Sequence, residues 1–184
     1  MTQKMSLKNG VCDEHKFVIS ACGFTFQGYC SILNKYGIHA SQIHFNGDEA
    51  SQQDVENILK NQDAHIVVFL GKGVVNLLES LKRLASVLNA LPVIRHVTLY
   101  GDIPDGWLYR TLGSLLNNSY QLSLIRVASV SDVVGCFNTH YKSFKDRSRV
   151  LRERYMDIGS EENLKWLTRR EIDVLLNFYR GMSV

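Results

Sequence analysis

Few residues in this 184-residue sequence stand at spacings that could do chemistry, and most fall short of a known chemical pattern. Gly71-Lys72-Gly73 follows an apolar run and precedes a leucine-rich helical pattern, a place where phosphate binds helix N-termini. It has neither the spacing of a P-loop nor the G-x-G-x-x-G of dinucleotide sites, so a flexible strand-to-helix turn competes with a nucleotide site. The histidines, His15, His39, His44, His65, His96 and His140, show no i, i+4 pairing with another ligand, and no metal is expected. His65, set among apolar neighbours, reads as a hydrogen-bonded interior histidine. Cys12, Cys22, Cys30 and Cys136 form no C-x-x-C pair and fit reduced thiols packed as small apolar groups. No nucleophile stands with a base, so the chain is read as non-enzymatic and without a cofactor.

Charge adds one further feature. The net charge is +3. Residues 1–140 hold 11 Lys/Arg against 11 Asp/Glu, while residues 141–184 hold 10 against 7, so the basic excess lies in the tail. Lys142, Lys145, Arg147, Arg149, Arg152 and Arg154 crowd into one stretch that could lie along phosphates or line a solvated linker helix. Apolar residues make up 45% of the chain, as in an ordinary compact domain. No apolar run approaches the roughly eighteen residues of a membrane span. The first ten residues lack the apolar centre of a signal peptide, so a cytoplasmic location is expected.

The elements that must position these residues alternate. Strand-like runs fall at 16–20, 41–45, 64–70, 96–100 and 122–128. Between them lie helical patterns at 26–37, closed by Gly37; from about 51, with Ser51 and Asp54 at its start; at 74–91, ended by Pro92; and from Pro104. A last helix follows Ser131, which is expected to cap it. The unbroken apolar run at 64–70 marks a strand buried on both faces, as central parallel strands are. Five strands alternating with five helices predict an α/β fold with a doubly wound parallel sheet, most economically in the flavodoxin-like order 2-1-3-4-5. Trp107 and Tyr109, near the start of the fourth helix, suit either core packing or a partner surface. Residues 158–163 read as an exposed joint.

After that joint, Thr168 and Glu171 have the spacing of a capping box. Ile172, Val174, Leu175 and Phe178 continue a helical pattern, and Gly181 stands where a left-handed C-cap is wanted. Leu167, Thr168, Arg170, Glu171, Val174, Leu175, Gly181 and Ser183 together match L-T-x-R-E-x-x-V-L-x-x-x-x-x-G-x-S. This segment resembles the first scaffold helix of the LuxR/FixJ/NarL-type helix-turn-helix domain. In that family the next two helices carry the turn and the recognition helix. The resemblance implies a division into a domain at 1–140, a basic linker at 141–163 and the incomplete start of a DNA-binding domain at 164–184. DNA would then be reached only through a full-length protein.

A flavodoxin-like unit placed before such a helix resembles the receiver domain of response regulators. In that family, carboxylates after the first strand hold magnesium and an aspartate ending the third strand accepts phosphate, because Mg²⁺ prefers oxygen ligands and phosphoryl transfer needs charge neutralised in place. Counted from Gly28, the acidic pair falls on Ser20 and Ala21. The phosphoacceptor position falls on Leu70, or on Gly71 if the register slips by one. The hydroxyl position falls near Tyr100 or Gly101, and the lysine position near Arg126. With no carboxylate there, the resemblance narrows to pseudo-receivers, such as those of enterobacterial capsule and fimbrial regulators. It implies a phosphorylation-independent transcriptional regulator that forms a homodimer or pairs with another regulator, through the face of the fourth helix, fifth strand and fifth helix. A small-molecule or nucleotide-binding flavodoxin-like module is the alternative, using the crevice at Gly71 to Gly73.

Overall fold

The computed structural model describes residues 15–93, 95–133, 149–151 and 167–181. Its elements in chain order are β1 (His15–Ser20), α1 (Gly23–Asn34), β2 (His39–Gln42), a hairpin of β3 (Phe45–Asn46) and β4 (Glu49–Ala50), α2 (Gln52–Lys60), β5 (His65–Phe69), α3 (Val74–Ala90), β6 (His96–Tyr100), α4 (Asp105–Leu115), a 3-10 turn (Ser119–Leu124), β7 (Ile125–Ala128), β8 (Arg149–Val150) and α5 (Arg169–Tyr179). Five parallel strands lie in the order β2-β1-β5-β6-β7, and β8 adds antiparallel outside β7. The fold is therefore α/β, built on a parallel sheet flanked by helices.

Strand alternation divides the core in two. Phe17, Ile19, Ile66, Val68, Val97, Leu99, Ile125 and Val127 point to one face, where they meet Ile58 of α2, Leu81 and Leu84 of α3, Leu108 and Leu112 of α4, and Ile172 and Leu176 of α5. Val18, Val67, Phe69, Tyr100 and Ala128 point to the other, against Tyr29 and Leu33 of α1 and Val133. β5 is central because both of its faces are apolar: Ile66, Val67 and Val68 are all buried.

Several local expectations shift. The run at 41–45 splits, since Ile43 N–H still bonds Val18 O at 2.9 Å but Phe45 already belongs to the β3–β4 hairpin. Gly47, at φ 66°, turns that hairpin. Residues 122–124 are wound in the 3-10 turn, started by the Asn118 side chain accepting Tyr120 N–H at 2.9 Å, so β7 begins only at Ile125. The last helical turn begins at Val130, and Ser129 rather than Ser131 stands at its cap: Ser129 N–H bonds the Asp132 carboxylate at 3.1 Å, and Ser129 O accepts Asp132 N–H.

Where a linker was expected, Arg149–Val150 is a strand against β7 and Leu151 is buried. Lys142, Lys145, Arg147, Arg152 and Arg154, the joint at 158–163, Ser183, His140, Cys12 and Cys136 lie outside the described residues.

Candidate functional site

The receiver-like positions can be placed on the carboxyl edge of the sheet. Ser20 ends β1 in register with Phe69, Phe69 with Tyr100, and Tyr100 with Ala128. Ala21 follows Ser20 in the β1–α1 loop, and Leu70 follows Phe69, its N–H bonded to Tyr100 O at 3.0 Å. Arg126 does not join them. It pairs with Thr98, inside β7 and two residues short of the edge, because β7 runs on to Ala128.

The chemistry of this edge is closed. Ser20 Oγ donates to Cys22 O at 3.0 Å and accepts Cys22 N–H at 3.2 Å, so the hydroxyl is spent on its own turn. Leu70 fits against Gly101 so closely that a Cβ built there would lie 3.0 Å from Leu70 Cβ. Phe69 stacks on Tyr100 at 5.3 Å and meets Tyr29 edge-on at 5.1 Å. These residues do not fit a magnesium site, since a hard cation needs several oxygen ligands and the row offers a turn-bound hydroxyl and aromatic rings. Among the described residues, no group of three or more His, Cys, Asp or Glu could hold a metal ion.

The glycine turn beside this edge has a structural cause. A Cβ on Gly71 would lie 2.4 Å from Asn76 Cβ in the first turn of α3, and Gly73 has φ 85°. Asn76 Nδ2 also donates to Lys72 O at 3.1 Å. Both glycines are thus required by the backbone itself, and this turn is packed onto α3. Trp107 and Tyr109 are half-buried against the core. Cys22 is exposed at the N-cap of α1, where the Thr25 backbone N–H holds its thiol below the ordinary range.

The second candidate region is α5. Thr168 Oγ1 accepts Glu171 N–H at 3.3 Å, and the Glu171 carboxylate takes Thr168 N–H at 2.8 Å, which completes the capping box. The Thr168 backbone N–H first, and then its hydroxyl donating to Glu171 Oε2 at 2.8 Å, hold the Glu171 carboxyl below its usual range. Thr168, Arg170, Glu171 and Gly181 are all exposed, and Gly181 has φ 69°. Ile172 and Leu176, four residues apart and so on one stripe, are fully buried against the body of the sheet domain. Ser114 Oγ on α4 donates to Leu167 O at 3.0 Å. A segment expected to open a separate unit thus shares the main core.

A charged network that the sequence reading missed joins α5 to α3. Lys82 Nζ lies 2.7 Å from Asp48 Oδ2 and 2.8 Å from Asp173 Oδ1. Arg180 Nη2 lies 2.8 Å from Asp48 Oδ1 and 3.0 Å from Glu79 Oε1. The Arg180 guanidinium, followed by Lys82, holds the Asp48 carboxyl down to about 2. Burial alone would lower Lys82, but Asp173 and Asp48 outweigh it and the amine ends above its ordinary value. Beside the network runs an open polar groove of about 580 Å³, lined among others by Glu49, Ser86, Asn89 and Arg169. Only the i, i+7 spacing of Asp173 and Arg180 hinted at this; Asp48 and Lys82 carry no local signal.

None of the family models, curated proteins or solved structures compared with the chain matches it.

Proposed function

We propose that this chain is the pseudo-receiver part of a LuxR-type transcriptional regulator, in which a phosphorylation-independent α/β unit pairs with itself or another regulator and positions a DNA-binding part that α5 begins. The observation that carries this reading is a division of labour along α5. The fully buried and ion-paired contacts to the α/β body come from Ile172, Asp173, Leu176 and Arg180, at positions the helix-turn-helix pattern leaves open, while Leu167 and Leu175 of the pattern pack partly buried against the same core. Thr168, Arg170, Glu171, Val174 and Gly181, the other described residues of the pattern, stay exposed, Val174 at 40%. At 100° per residue, Val174 and Phe178 lie nearly opposite Ile172 and Leu176. Such a helix keeps one apolar stripe for a second body.

The closed carboxyl edge supports the phosphorylation-independent part of the reading, because Ser20, Ala21 and Leu70 supply neither metal ligand nor phosphoacceptor. Pairing would use the helical surface around α4, since β8 already covers the outer edge of β7. Light scattering of the 184-residue chain, alone and after incubation with acetyl phosphate and Mg²⁺, tests this. A dimer with unchanged mass and no bound phosphate is expected. A strict monomer that binds no second regulator, or an acid-labile phosphate on the chain, overturns it.

A further inference from the structure

α5 has only two fully buried apolar side chains, Ile172 and Leu176, and eleven residues are too few for a helix to stand alone in water. Leu167 and Leu175 add partly buried packing, and charged contacts hold the rest of the segment. The β3–β4 hairpin supplies the means: Ala50 N–H bonds Ser86 Oγ on α3 at 3.1 Å, Ser51 N–H bonds His44 O at 2.8 Å, and Lys82 of α3 grips Asp48. Asp48 is therefore fixed on the α/β body whether or not α5 is present. The other half of the contact rides on α5. Arg180 is its C-cap, where the helix dipole favours a cation, and its guanidinium reaches both Asp48 and Glu79.

We infer that the hairpin, α3 and α5 form an ionic latch: Asp48, Glu79 and Lys82 are the fixed half, Arg180 and Asp173 are the moving half, and α5 leaves the body as a unit when the latch is broken while the sheet stays folded. The side chains of Asp48, Lys82 and Arg180 are each about a quarter exposed, so salt screens the latch only weakly and it opens when a charge is removed. Resting on the function proposed above, the latch decides whether a DNA-binding part is carried rigidly by the α/β unit or hangs loose. The release of α5 itself does not depend on that function.

Amide hydrogen exchange on the whole chain tests the latch. In wild type, amides of residues 173–180 should be protected. In Asp48→Asn and in Arg180→Met they should exchange about tenfold faster or more, with the amides of β1 and β5 unchanged within about twofold. Should a variant fail to fold, Glu79→Gln, which leaves Asp48 on Lys82, gives the same readout. Unprotected α5 amides in wild type, no acceleration in the variants, or α5 and sheet amides moving together would each overturn the latch.

Discussion

Lys16 Nζ lies 3.0 Å from His65 Nδ1, and the far side of the same ring, Nε2, lies 2.8 Å from Thr98 Oγ1. An ammonium has only donors, so His65 accepts at Nδ1 and carries its proton at Nε2, which donates to Thr98. Three adjacent strands are thus tied by one polar chain within the α/β unit. Lys16 and Thr98 are both buried.

Replacing Thr98 with valine removes that acceptor while keeping the side chain's shape. Urea unfolding should show a loss of about 1–3 kcal/mol, the cost of taking a partner from a buried donor. A change below about 0.5 kcal/mol would mean the ring is held elsewhere.

Leu176→Ala empties a fully buried position between α5 and the α/β body. A loss of about 2–5 kcal/mol is expected if α5 belongs to the main core. An unchanged urea midpoint would show that α5 does not contribute to the cooperative unit.

His15 is held below its ordinary pKa of 6.5, first by burial and then by His39, its register partner on β2. The folded state therefore binds fewer protons than the unfolded chain. Its contribution is complete above that value and is lost as pH falls through it toward the lower folded value. Urea midpoints of wild type should fall between pH 7.5 and pH 5 more steeply than those of His15→Gln; parallel slopes would remove His15 as the cause.

The two cysteines in the described residues should differ in reactivity. Cys22 is exposed with a lowered thiol pKa, while burial raises that of Cys30. Brief iodoacetamide labelling of the native chain at neutral pH, read by mass spectrometry, should modify Cys22 well before Cys30. Equal rates would contradict these two environments.

Gly71→Ala should cost about 1–3 kcal/mol through overpacking, because the new methyl meets Asn76 Cβ at 2.4 Å. Gly47→Ala meets no neighbouring atom and is strained only by its φ of 66°, so it should cost less. Thermal midpoints rank the two, and the reverse order would show the α3 turn to be yielding.

Legibility in the sequence followed the range of the interactions. The helix at 169–179 was readable because its cap bonds span three residues and its stop is a single glycine. β5 and β6 were readable because each is a short run rich in apolar and β-branched residues, Ile66–Phe69 in one and Val97, Thr98 and Leu99 in the other. The start of β7 was not, since the apolar run passes through the 3-10 turn and side-chain polarity does not report which backbone groups pair. The same limit hid the β3–β4 hairpin, of which only Phe45 lay in the run taken for a strand.

The sequence by itself determined the alternation of elements, the capping box at Thr168 and Glu171, and the absence of carboxylates at Ser20, Ala21 and Leu70, because local backbone bonding and residue type decide all of these. Only the tertiary structure decided that Asp48 meets Arg180, 132 residues away, and that Lys16, His65 and Thr98 share one bonded row. Strand register and helix docking set those meetings. Both arise from burying many side chains at once, which no local spacing records.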